Sequence, residues 1–152
     1  MKALTTLVVV GMFLTGVAMA DDVDDVKAAV QRYIAALNAG DVGALTRLQA
    51  AAGTSYGAGG GLLATFDSPE ERRNSFQATV DAGVKFNVQA RHIDVRIYGS
   101  STAVATSYGV GRITQPNGTT VQVNNRITTV LIKQGGQWKE VHRHLSPVRL
   151  PQ

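Results

Sequence analysis

The chain has no cysteine, three histidines and a single tryptophan. Without thiols it can form no disulfide, build no zinc–thiolate site and use no cysteine nucleophile, so its core alone must hold the fold. Charge of either sign is scarce as well. Charged residues make up 17% of the chain, the formal net charge is +4, and no Lys/Arg block occurs, which gives nucleic-acid binding little support. No internal repeat and no linker-like segment divides the sequence.

One long apolar run is present, at the start. Lys2 is followed by Leu4, Leu7, Val8, Val9, Val10, Met12, Phe13 and Leu14, and the run closes on Ala18-Met19-Ala20. This is the pattern of a secretory signal peptide over residues 1–20, cleaved before Asp21. It is short for a span of roughly 20 residues, and Asp21, Asp22, Asp24 and Asp25 follow it directly. The mature chain is therefore expected to be secreted or periplasmic, with no membrane partner after cleavage. It would be one domain, 21–152, of 152 − 20 = 132 residues, enough for a sizeable core.

Apolar residues Val23, Val26, Val30, Tyr33, Ile34 and Leu37 recur at three- and four-residue steps, which predicts an amphipathic helix over 22–38, stopped at Gly40. A shorter helix follows with Asp41 as its N-cap. Residues 53–61 hold five glycines in nine positions and read as a mobile loop centred on Tyr56. Ser68-Pro69-Glu70-Glu71 is a helix start, predicting a third helix from about Pro69 to Ala82. From Val84 the period changes to two. The apolar phase then slips between Ala90 and Ile93, which demands a bulge near Arg91 and His92. Further strands are expected over 103–114, 119–133 and from Trp138, with turns at Pro116-Asn117-Gly118 and Gln134-Gly135-Gly136. Three N-terminal helices followed by an antiparallel meander make an α+β domain with the helices on one sheet face.

The order of elements, the Asn38-Ala39-Gly40-Asp41 junction, Arg126-x-Thr128 and the closing Gly136-x-Trp138-x-x-x-His142-x-His144-x-Ser146 resemble the SnoaL-like branch of the nuclear transport factor 2-like superfamily. The ending is also similar to the association domain of calcium/calmodulin-dependent kinases. The resemblance implies a cone-shaped barrel of three helices on a curved antiparallel sheet, a pocket between them that takes a small molecule, and a homodimer. Its members include isomerases, cyclases, dehydratases and non-catalytic assembly modules, so it does not select an activity.

Strand parity puts Trp138, His142, His144 and Ser146 on one face. A two-residue Gly135-Gly136 turn would face Ile127 toward His144 and Thr129 toward His142, whereas a three-residue turn, the favoured register, would set Arg126 opposite His144 and Thr128 opposite His142. Arg126, His142 and His144 then form either a patch that recognises an anion or a polar ladder at a subunit interface. Arg143 points the other way, and if it reaches the interior it is the pocket's positive group. Two histidines on one strand lack a third ligand at any usable spacing, so no metal site and no cofactor is expected. For isomerase-type chemistry the available carboxylates are Asp94 and Glu140, with Tyr33 and Tyr56 as hydroxyl donors. Against this, Asp94 alternates with apolar residues and reads as a solvent-facing partner of Arg96, and Tyr33 reads as a core aromatic. The ligand-binding candidates are thus Tyr33, Tyr56, Arg126, His142, Arg143 and His144.

Overall fold

The computed structural model describes the backbone of residues 13–148 and the side chains of residues 21–148, so most of the expected leader lies outside the described residues. Helix α1 (Phe13–Ala39) is followed by α2 (Val42–Arg47), strands β1 (Gln49–Tyr56) and β2 (Ala64–Phe66), and helix α3 (Pro69–Asp81). Four long strands complete the chain: β3 (Lys85–Tyr98), β4 (Thr102–Thr114), β5 (Thr120–Gln134) and β6 (Gln137–Pro147).

The helix starts are fixed by side-chain caps, as their sequences predict. The Asp41 carboxylate accepts the Ala44 amide at 2.8 Å, and Ser68 Oγ accepts the Glu71 amide at 3.2 Å. Glu71 reaches back to accept the Asp67 amide at 2.7 Å. At the end of α1 the Asn38 side chain both donates to the Val88 carbonyl and accepts the Val88 amide, at 2.8 and 3.0 Å. That pair of hydrogen bonds ties the end of α1 to β3.

The six strands form one sheet in the order β2-β1-β6-β5-β4-β3. The expected barrel is not formed. β2 and β3 are free edges that do not pair with each other, and closure requires every strand to have two neighbours. The sheet is also mixed rather than antiparallel, because β1 runs parallel to β6. Residues 53–56, expected in the glycine-rich loop, belong to β1: pairing of Thr54, Ser55 and Tyr56 with His142, Arg143 and His144 satisfies their backbone and overrides their composition. The three helices do lie on one face. Val26, Ala29 and Val30 of α1 pack with Val95, Ala103, Ala105, Leu131 and Trp138, while Tyr33, Ile34 and Ala36 form a second cluster with Leu45 and Val88.

Two bulges set which residues face the helices. In β3 the register shifts between Arg91 and Asp94, with His92 at a φ of 53°, where the phase slip demanded it. In β6 the shift was not anticipated. Gly135 and Gly136, with φ of 56° and 76°, make a two-residue turn that pairs Gln134 with Gln137, in place of the expected three-residue loop. Pairing runs to Leu131–Glu140, skips Val141, and resumes at Val130–His142. The skipped residue reverses the parity, so Trp138, Glu140 and Arg143 face the helices and His142 and His144 face away. Trp138 therefore does not share a face with the histidines.

Because Val141 is the extra residue, its deletion should leave every downstream pairing in place. The variant is expected to fold with the parent's circular dichroism and a melting temperature within a few degrees. Deletion of Thr129, which has no compensating bulge, should invert the rest of β5 and abolish the cooperative transition in the same melt.

Candidate functional site

Burial of charge marks one place on the helical face. Arg72, Glu140 and Arg143 are only 2%, 4% and 7% exposed, and Gln49 and Tyr33 are buried beside them. They arrive from four elements: Tyr33 from α1, Gln49 from β1, Arg72 from α3, and Glu140 and Arg143 from either side of the β6 bulge; Thr129 of β5 stands opposite Arg143. Arg143 Nη2 forms a buried ion pair with Glu140 Oε2, and Gln49 Nε2 donates to Glu140 Oε1 at 3.1 Å. The Arg143 guanidinium is stacked on the Tyr33 ring, 3.4 Å from its centroid.

These contacts fix the ionic states. Burial pushes the Tyr33 hydroxyl up to about 12, against the pull of Arg143, so it stays a neutral donor at physiological pH. Burial lowers the Arg143 guanidinium, but Glu140 and Tyr33 more than offset this, and its net shift is upward. Arg72 goes the other way: burial dominates, Glu140 opposes it, and the net shift is downward.

Arg72 is the least satisfied member, although Arg143 Nε and Gln49 Oε1 are also buried without a partner. Its Nε and Nη2 are buried without a hydrogen-bond partner, although Glu140 attracts it at longer range. Its close contact is the Phe66 ring, 5.1 Å from the guanidinium carbon. Such a contact returns about 1–2 kcal/mol, whereas burying an ion costs several. A void of about 10 Å³, room for one water-sized group, lies in the same region between Tyr33, Glu140, Arg143, Leu48 and Leu131. A larger groove of about 740 Å³ opens on another side of α1, along Ala36, Ala39, Leu48 and Trp138. Its charged residues, Asp25, Arg32, Asp41 and Arg47, are exposed on the rim, so it offers volume without convergent polar chemistry.

The candidates drawn from the sequence divide between two faces. Tyr33, Glu140 and Arg143 meet in the buried site. Tyr56, His142 and His144 meet on the opposite face of the sheet, where Thr54 Oγ1 lies 2.7 Å from His142 Nδ1 and the Tyr56 ring is 5.4 Å from that of His144. Arg126 is on that outer face too, but opposite Ser146, with Thr128 opposite His144, and its Nη2 donates to the Pro147 carbonyl at 3.2 Å. Asp94 belongs to neither set; its side chain is 62% exposed and pairs with Arg96 at 3.3 Å. Sequence reasoning missed Arg72 and Gln49. For Arg72 a signal existed: it stands four residues before Phe76 and eight before Val80, in phase with the buried stripe of α3.

With both Glu140 oxygens engaged, the site has no free carboxylate to act as a base. Two substitutions should separate what holds the site from what it is for. Glu140→Gln leaves two buried guanidinium groups without a counter-charge and is expected to cost about 3–5 kcal/mol in urea unfolding. Arg72→Met removes the unpartnered charge and is expected to be neutral or stabilising by up to about 2 kcal/mol in the same experiment.

No curated protein matches the sequence. The described sheet and helices are similar to a ketosteroid isomerase-like protein from Erwinia carotovora atroseptica, at 20% identity and a TM-score of 0.73 over 86% of this chain and 98% of that one. They are similar also to a proposed dehydratase of the nuclear transport factor 2-like family from Streptomyces avermitilis, at 22% identity and a TM-score of 0.72 over 87% and 99%. A third likeness is to the CamKII hub homology domain of Chlamydamonas reinhardtii, at 24% identity and a TM-score of 0.66 over 84% and 98%. At such identities these structures share a fold with this chain and nothing more specific. Residues 26–150 match the SnoaL-like domain, and the chain belongs to that family, with the nuclear transport factor 2-like fold.

Proposed function

We propose that this domain binds a small anionic molecule, with a carboxylate or similar oxyanion as its recognised group, in the buried site formed by Tyr33, Arg72, Glu140 and Arg143. One observation carries the reading: Arg72 is buried with two free guanidinium nitrogens, while Glu140, the one acidic residue in the fully buried set among the described residues, is already held by Arg143 and Gln49. A buried cation without its own counter-ion is an anion receptor by elementary electrostatics. Engagement of both Glu140 oxygens favours binding over proton abstraction, and Asp94 is too exposed to take that role.

Acetate and acetamide have nearly the same shape and differ in charge, so they isolate the electrostatic component. Differential scanning fluorimetry should show acetate raising the melting temperature in a saturable way at constant ionic strength, with acetamide leaving it unchanged. Equal shifts from the two, or none from acetate or any other small anion, would remove this reading.

We propose a separate role for the outer sheet face. Thr54 hydrogen-bonds His142 there, the Tyr56 ring packs against both histidines, and Tyr56 and Tyr108 are each about two-fifths exposed. Polar side chains interleaved with exposed aromatics suit packing against a second copy of the chain, which supports a homodimer. Light scattering of the purified domain should give twice the chain mass, and Tyr56→Glu with His144→Glu should give the monomer. A monomeric parent protein at micromolar concentration would rule the interface out.

A further inference from the structure

The sheet ends at β3, and half of that edge is open. We infer that residues 93–97 pair antiparallel with the same segment of a second copy of the chain, about a two-fold axis at Val95, and so join two sheets edge to edge. This surface is separate from the outer sheet face, and the inference does not rest on the dimer proposed there.

The Asn38 bonds show which way the edge faces. Because that side chain engages both the amide and the carbonyl of Val88, those groups point away from β4 and from Gly111 opposite. Successive residues of an antiparallel strand turn their backbone groups to alternate sides. Gly111 and every second residue before it, through Ala105 and Ala103, therefore turn toward β5, a phase that the unbroken β4–β5 pairing carries past the β3 bulge. Their partners Val95 and Ile97 are left with amide and carbonyl directed outward, as is Ile93 two residues before Val95. Asn38 closes the first half of the edge at Val88. Among the described residues no strand pairs with the second half.

One register satisfies these backbone groups and the side chains together. With the axis at Val95, that residue meets the partner's Val95 and Ile93 meets the partner's Ile97, so each outward-facing residue finds another. On the outer face Asp94 then stands opposite the partner's Arg96, and Arg96 opposite the partner's Asp94. Within one chain these side chains are 62% and 72% exposed and pair with each other at 3.3 Å, so both are free to reach across. Moving the axis by one residue sets Asp94 against the partner's Asp94, or Arg96 against the partner's Arg96, which like-charge repulsion disfavours. Tyr98, 58% exposed, comes opposite the partner's His92. On the inner face Ile93 and Ile97, half-buried beside the α1 cluster, gain apolar neighbours. Open backbone groups at a sheet edge are a template for pairing, and the charges that would block other registers favour this one. A segment this short buries little surface, so the association is weak and depends on concentration.

Light scattering between about 10 μM and about 1 mM tests the inference, with the full chain carrying Tyr56→Glu and His144→Glu so that the outer face makes no contact. The mean mass should rise with concentration from one chain toward two. Adding Arg96→Asp sets acidic groups against each other and should hold the mass at one chain; adding Asp94→Arg instead sets basic groups against each other and should do the same. Both side chains are exposed, so each variant should keep the parent's circular dichroism. An equimolar mixture of the two variants restores opposite charges at both positions and should associate as their parent does, which damage to either fold could not produce. A mass that stays at one chain throughout, an association that Arg96→Asp leaves intact, or a mixture that stays monomeric would each overturn the inference.

Discussion

One buried carboxylate shared unequally between two arginines is the constraint around which this domain is arranged. Glu140 is engaged on both oxygens, by Arg143 and Gln49, and can do little more than attract Arg72 from a distance. Taking three charged groups out of water costs several kcal/mol each, and the ion pair returns that only where its hydrogen bonds are complete. Both Glu140 oxygens are engaged, but Arg143 Nε and Gln49 Oε1 are left without partners. Arg72 lacks two partners, and the buried charged set carries an imbalance of one positive charge.

The rest of the architecture serves to hold that imbalance in place. α1 is tied to β3 through Asn38 and Val88, which brings Tyr33 under the Arg143 guanidinium. The Val141 bulge turns Glu140 and Arg143 to the same face although they are three residues apart, a spacing that regular alternation would send to opposite faces. Parallel pairing of β1 with β6 carries Gln49 opposite Glu140, and the break in that pairing makes the gap that Gly53 leaves for Arg72. The same bulge sends His142 and His144 outward, where they meet Thr54 and Tyr56. A single extra residue in one strand thus divides the polar residues of β6 between a buried site and an exposed face.

Much of the fold was legible because it rests on local chemistry. Caps at Asp41 and Ser68, the glycine stop at Gly40, and the phase slip at His92 are written in short segments, and the structure contains each of them. Non-local features were not legible. Whether the sheet closes depends on its edge strands, and β1 exists only because β6 pairs with it, so composition read those residues as loop. Part of the site was visible: parity put Arg143 on the face opposite the histidines, without deciding whether it reached the interior, and Tyr33 fell on the apolar stripe of α1. The Val141 bulge was invisible, since an extra residue in a strand leaves no trace in a sequence whose polar and apolar residues remain plausible on either face. Arg72 was overlooked for a different reason. A charged residue in phase with a buried helical stripe reads as a solvated flank until its burial is measured.

The most direct measurement is the nitrogen-15 resonance of the Arg72 Nε–H, assigned by its disappearance in Arg72→Lys and followed by NMR as acetate is added. In the free protein that signal should be protected from solvent exchange, and it should move downfield and saturate as acetate binds, with the Arg143 resonance changing little. A signal that exchanges as fast as those of exposed arginines, or that stays still while acetate binds elsewhere, would contradict Arg72 as the group that receives the ligand.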